Sequence, residues 1–353
     1  MLSIFCAPSR YVQGRNATLS LGSEMKKMGL AGPVVIIAGS HAIDLLSTSW
    51  EKTFKEVGLK FEVVKFNGEC SAKEIKRCKD AASAFSAGVI VGAGGGKVLD
   101  TARAVAAELS LPVVNCPSLA SSDAPCSALS VVYTEDGQFS EYKFYPRNPE
   151  LVLVDSSLVS KSPPRLLVAG MGDALATWFE AQTVVAARKK NQLGGATSQA
   201  AQALAALCYQ TLLEDGVSAL HAVQEQVVTP SLERLIEANT LLSGLGFESG
   251  GLAVAHSVHN GLTTVAETHV YYHGEKVAFG LLVQLVLEGK PNSLIQEVTD
   301  FCLSVGLPVC LSDLGIYSKS RSLCMQIAER ATAAGETAHN EPFEVTADMI
   351  ADA

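Results

Sequence analysis

Hydrophobic positions along the chain follow two patterns, one after the other. Residues 33–38 (PVVIIA), 61–66 (FEVVKF), 88–93 (GVIVGA), 112–118 (PVVNCPS) and 151–155 (LVLVD) are short runs rich in β-branched residues. Such runs predict strands, and the unbroken apolar ones predict burial on both sheet faces. Between them lie segments whose apolar residues recur at three and four, which predicts helices. One covers 41–58 and stops at Gly58. The next covers 71–87 and opens with Ser71 and Glu74 at capping-box spacing. A third, 99–109 (LDTARAVAAEL), follows a glycine-rich turn. Strands alternating with helices imply a doubly wound parallel sheet. Residues 129–133 (LSVVY) and a strand near Tyr142–Tyr145 flank Glu135-Asp136-Gly137 and predict a hairpin.

The texture changes at Ser162-Pro163-Pro164, where two prolines interrupt any helix or central strand. Beyond them the periodicity is helical in 166–189, 196–215, 217–228 and 231–247, with almost no strand signal. Two domains are expected: residues 1–162 as an α/β unit and residues 163–353 as an all-helical one.

Composition narrows the function. With 353 residues, 48% hydrophobic and 18% charged, the chain can bury a sizeable core and is not of disordered type. A net charge of −9 argues against a nucleic-acid surface and against binding to anionic membranes. No run approaches the roughly 18 apolar residues of a membrane span. The start, MLSIFCAPSRYVQGR, lacks a basic region followed by an apolar run, so a cytoplasmic location is expected. Nine cysteines, an odd number with no C-x-x-C pair, fit reduced thiols.

Two stretches carry candidate chemistry. The first is Gly92-Ala93-Gly94-Gly95-Gly96-Lys97, between a strand and a helix. Glycines there allow close backbone approach, and a helix N-terminus favours an anion, so a nucleotide phosphate site is expected. The spacing is neither G-x-G-x-x-G nor the Walker pattern. The first strand ends Ala38-Gly39-Ser40-His41, without the carboxylate that commonly binds an adenosine ribose.

The second is Gly250–Lys276, which holds His256, His259, His269 and His273, four of the seven histidines. His256 and His259 share a helix face and make the simplest ligand pair. Their H-S-V-H spacing is not the H-E-x-x-H of zincins. A carboxylate must come from elsewhere, and Asp173 in Ala169-Gly170-Met171-Gly172-Asp173 is the strongest candidate. An acid among small residues at the start of an apolar helix is either an N-cap or an inward-facing ligand. Two histidines and one aspartate would leave an open coordination position.

Residues GGGKVLDTARAVA, PSLASSDAPCSALSVVY, AGMGDALATWFEA, the block from VVTPSLERL to AHSVHNGL, and YYHGEKVAFGLLVQLVLE together resemble the metal-dependent, so-called iron-containing alcohol dehydrogenases, in their glycerol branch. The resemblance runs from about Tyr11 to about Asn340. It implies a Rossmann-like dinucleotide-binding domain and a helical metal-binding domain, in the architecture shared with dehydroquinate synthase. It implies Asp173, His256 and His273 as zinc ligands, leaving out His259 and His269. It also implies Asp123 at the substrate, Gly94, Gly95, Gly96 and Lys97 at the pyrophosphate, and Ser118, Ser121, Ser127, Leu129 and Tyr133 along the dinucleotide. The activity implied is reversible oxidation of glycerol to dihydroxyacetone with NAD, in a homo-oligomer that the family builds as an octamer. His256 and Asp123 are the residues expected at the chemistry, and His259 is a candidate proton relay. The family's acidic ribose-binding residue falls at Gly39, leaving room for a 2′-phosphate; no arginine lies beside it, so NAD is favoured over NADP.

Other readings are a dehydrogenase for another vicinal diol or 2-hydroxy compound, a dehydroquinate synthase-like lyase, and a silent binding protein. The lyase would require phosphate-binding arginines and lysines, which are few near the histidine segment. The intact ligand set argues against the silent protein.

Overall fold

A computed structural model describes residues 1–318 and 320–353. Eight strands lie within the first 155 residues: β1 (Arg10–Gly14), β2 (Val34–Ala38), β3 (Phe61–Lys65), β4 (Val89–Gly94), β5 (Val113–Pro117), β6 (Leu129–Tyr133), β7 (Phe139–Phe144) and β8 (Leu151–Asp155). Helices α1 (Leu21–Lys27), α2 (Ser40–Val57), α3 (Ala72–Ala84), α4 (Gly96–Leu109) and the short α5 (Ser156–Val159) accompany them. Six strands form one parallel sheet in the order β1-β8-β5-β4-β2-β3. Along β2, Val34, Ile36 and Ala38 enter one core while Val35 and Ile37 enter another, because successive side chains point to opposite faces. The hairpin β6–β7 stands apart, antiparallel, as its turn signal predicted.

The chain steps outward from β2 to β3, then returns to β4 on the other side of β2. Ligands of open α/β sheets bind in the crevice beyond the carboxyl ends of the strands at such a reversal. Both Gly39 and the glycine turn lie at that crevice, since Ala38 pairs with Ala93. Gly92 brings strand and helix together: a Cβ there would lie 2.7 Å from the Cβ of Ala102 on α4.

From Pro164 onward the described elements are helices, among them α6 (Pro164–Ala186), α7 (Gln199–Gln224), α8 (Pro230–Glu237), α9 (Ser243–Gly250), α10 (Val254–Leu262), α11 (His273–Leu287), α12 (Asn292–Val305), α13 (Arg321–Ala331) and α14 (Ala347–Asp352). Pro164 is the first residue of α6, a position where its missing N–H costs nothing. No described helix is long and apolar enough to cross a membrane.

Three local readings change. Segments 196–215 and 217–228 fall on one helix, α7, which runs through Gly216, where the Phe301 ring packs in the place of a side chain. Between α8 and α9 the helix widens into a π turn, Ala238–Leu242. Asp173 does not begin a helix: α6 starts nine residues earlier, so the N-cap reading falls and the inward-facing one stands.

Candidate metal centre and nucleotide crevice

Glycines bring the central acid to the histidines. Gly172 and Gly274 precede Asp173 and follow His273. A Cβ on Gly172 would lie 2.3 Å from the carbonyl oxygen of Gly274, and one on Gly274 only 1.7 Å from that of Ala169. Helices α6 and α11 therefore cross backbone to backbone, which only glycine permits. The crossing puts Nε2 of His273 3.1 Å from Oδ1 of Asp173. His256, on α10, brings its Nε2 to 3.6 Å of the same oxygen. Ligand atoms of Asp173, His256 and His273 all lie within 4.8 Å of one another.

Asp173 is fully buried, and its Oδ1 has no hydrogen-bond partner. Leaving such an oxygen unmatched costs about 1–3 kcal/mol or more. Two imidazole nitrogens face it without the geometry of a hydrogen bond. An ion between the three groups would satisfy all of them, so the residues present fit a metal with one carboxylate and two imidazole ligands. Burial alone would raise the Asp173 pKa, but the facing His273 and His256 rings hold it well below the usual carboxylate range.

The rings are oriented from behind. Glu180, fully buried, accepts from the backbone N–H groups of Ala253 and His256 and lies 2.7 Å from Nδ1 of His256. A carboxylate there accepts a hydrogen bond from Nδ1–H and leaves Nε2 free to ligate. Glu180→Gln is expected to present an N–H to that nitrogen and weaken metal affinity about 10- to 100-fold, as read by chelator competition. Unchanged affinity would remove Glu180 from this role. Nδ1 of His273 lies 3.0 Å from Nε2 of His259. His259 thus stands behind a ligand, outside the three-residue group, and burial followed by the neighbouring His273 and Lys276 keeps its pKa low. His269 is exposed and bonded to the Thr263 carbonyl.

Asp123 arrives on the loop after β5. Its backbone N–H donates to Oδ2 of Asp173 (3.1 Å), and Ser243 donates to its carboxylate (3.2 Å). A Cβ on Gly170 would lie 2.0 Å from the Ala120 carbonyl oxygen, so the loop rests on α6. Asn239, from the π turn, donates to that same carbonyl. Burial first, then the Asp173 charge, pushes the Asp123 pKa well up. Arg103 on α4 ties the loop's far side down, pairing with Asp100 and donating to the carbonyls of Ala124 and Ser127.

The same loop reaches the glycine turn. Ser118 N–H donates to the Gly94 carbonyl (3.0 Å), and Ser121 lines a small cavity with Gly94, Gly95 and Gly96. Five chain steps from Ser118 to Asp123 span at most about 18 Å, which bounds the separation of turn and metal group. Lys97 pairs with Glu69 at 2.6 Å above the Tyr133 ring. Leu129 is half-buried on β6, and Ser127 is buried with its hydroxyl bonded to Ala124. Glu180, Ser243 and Asn239 were missed from sequence; only their polarity within apolar helices could have flagged them.

A doubly wound sheet whose crevice is joined by one loop to a buried aspartate–histidine group is an architecture suited to a dehydrogenase, and known proteins similar to this chain are of that class. Residues 8–156 match the family model described as iron-containing alcohol dehydrogenase. A glycerol dehydrogenase of Pseudomonas putida is 50% identical over 98% of this chain and 94% of its own. The chain belongs to the iron-containing alcohol dehydrogenase family and is an oxidoreductase of that type. It is also similar to a glycolaldehyde reductase of Halobacterium salinarum, 47% identical over all of this chain and 96% of that one. The crystal structure of glycerol dehydrogenase from Schizosaccharomyces pombe superposes with a TM-score of 0.95 at 37% identity, over 99% of this chain and 88% of that chain.

Proposed function

We propose that the protein oxidises glycerol to dihydroxyacetone, reversibly, with NAD as hydride acceptor and zinc held by Asp173, His256 and His273. The unmatched Oδ1 of Asp173, faced by two oriented imidazoles, is the observation that supports this most directly. When bound, the metal supplies a Lewis acid that lowers the pKa of a substrate hydroxyl, and the nicotinamide accepts the hydride. The protein's residues hold and orient. Asp123, its carboxylate held by Ser243, places a donor and acceptor beside the metal group for a neighbouring hydroxyl. Gly94, Gly95, Gly96 and the start of α4 offer N–H groups to a pyrophosphate. Lys97 reaches it by exchanging Glu69 for a phosphate. Ser118, Ser121, Ser127, Leu129 and Tyr133 line or brace the path of the dinucleotide. NAD is favoured because Gly39-Ser40-His41 includes no arginine for a 2′-phosphate. The reading includes domains at 1–162 and 163–353, a cytoplasmic location and assembly as an octamer.

A second reading, reduction of glycolaldehyde, draws on the archaeal relative and on the same placement of two neighbouring oxygens. Absorbance of NADH reports both directions. Glycerol is expected to be oxidised faster than propane-1,2-diol or 2-hydroxy acids, in a zinc-dependent way, and faster with NAD than with NADP. Glycolaldehyde reduction with a kcat/KM above that of dihydroxyacetone would replace the first reading with the second.

A further inference from the structure

A hydrogen-bonded chain runs from the surface of the helical part to one of the histidines in the metal group. Arg330, at the end of α13, pairs with Oε1 of Glu336. The other carboxylate oxygen accepts from Nδ2 of Asn260 at 2.9 Å. A carboxylate here only accepts, so the amide of Asn260 must turn its nitrogen to Glu336 and its oxygen the other way. That oxygen lies 3.1 Å from Nδ1 of His259. Nδ1 therefore carries the proton, and Nε2 of His259 keeps its lone pair. This lone pair faces Nδ1 of His273 at 3.0 Å, which makes Nδ1 the protonated nitrogen of His273 as well. Its Nε2, 3.1 Å from Asp173, is left as the ligating atom.

We propose that Glu336, acting through Asn260 and His259, sets the tautomer of His273 and so prepares it to bind metal. The three are positioning residues for an ion none of them touches. The proposal rests on the reading of Asp173, His256 and His273 as metal ligands, and it divides the work between two carboxylates. Glu180 orients His256 directly, while Glu336 orients His273 at a distance of two side chains. The polarity of one amide carries the information, because Asn can be turned either way and the carboxylate chooses. The segment after Glu336 has ties that do not use its carboxylate. The turn that follows it is tied to α10 by Thr337 donating to the Ala253 carbonyl, by Ala338 N–H donating to the Ser257 hydroxyl, and by Asn340 donating to the Leu252 carbonyl.

The test uses full-length protein labelled with nitrogen-15 histidine and loaded with zinc, so that Nε2 of His273 is taken by the ion rather than aimed bare at the Asp173 anion. Two-bond proton–nitrogen spectra read each ring's tautomer, and zinc affinity is measured separately by chelator competition. In the parent protein Nδ1 of both His259 and His273 should carry a proton; any other pattern overturns the proposal. Glu336→Ala frees the amide, so His259 should become a tautomer mixture and zinc affinity should fall about 10- to 100-fold. Adding Asn260→Asp to that variant moves the carboxylate one link inward. It should return His259 to the Nδ1 form and bring affinity back to within about threefold of the parent. An unchanged His259 tautomer in folded Glu336→Ala, or no restoration in the folded double variant, would overturn the proposal. If Glu336→Ala does not fold, Asn260→Leu removes the same link and is read in the same way. A parent that takes up no zinc refutes the metal reading, and the His259 tautomer in the same variants then tests the relay by itself.

Discussion

Asp173→Asn should leave a folded protein that retains no metal after dialysis and turns over about three orders of magnitude more slowly. The rate estimate follows from losing a Lewis acid worth several kcal/mol in the transition state. Folding should survive because an amide oxygen can still accept from the Asp123 N–H, the one hydrogen bond the side chain makes. The amide nitrogen would then face the two imidazoles, where a donor replaces an anionic ligand. Metal content by mass spectrometry and kcat/KM for glycerol are measured on the same preparation. Full activity of the variant in metal-stripped buffer would sink the metal assignment.

Gly274→Ala should be the most damaging single-methyl substitution at the site. Its Cβ would lie 1.7 Å from the carbonyl oxygen of Ala169. The obstacle is backbone, so no side-chain rotation relieves it, and α6 and α11 must part. Overpacking of this kind costs about 1–3 kcal/mol. His273 opens α11 one residue earlier, so it should be carried away from Asp173. Stability and metal affinity should therefore fall together, as read by the denaturant midpoint and by chelator competition. A variant that lost stability yet kept parental zinc affinity would separate the crossing from the metal group.

The sheet was largely legible because its signal is local. Runs of β-branched residues between turn formers marked β2 to β5 and β8 to within a residue or two, and Gly58 ended α2 in the left-handed conformation expected of a C-cap glycine. The capping box at Ser71 was half right. Its hydroxyl accepts from the Glu74 N–H, but the Glu74 carboxylate turns to Asn67 and Arg77. Strand β1 (RYVQG) escaped notice because it is an edge strand with every residue half-buried, so it has neither an apolar run nor a clean alternation. The π turn that supplies Asn239 has no periodic signature in a five-residue stretch.

The site shows the same division more sharply. By itself the sequence determined a parallel sheet, a glycine turn at the end of one of its strands, a helical second half and a dense group of histidines. Each of these follows from spacing along a few turns of chain. Spacing alone pointed to His256 with His259 and offered Asp173 as either a cap or a ligand; the family resemblance was needed to select His273 in place of His259 and to read Asp173 as a ligand. Only the tertiary structure supplies the reason. Coordination depends on the approach of α6, α10 and α11, whose ligands come from positions 173, 256 and 273, and that approach depends on glycines packing against backbone in another helix. His259 shares a helix with His256, yet its ring is spent on His273 and Asn260. Which histidine meets the ion is decided by what stands behind each ring, and those partners are remote in sequence: Glu180 lies 76 residues from His256, and Glu336 lies 76 residues from the Asn260 it bonds.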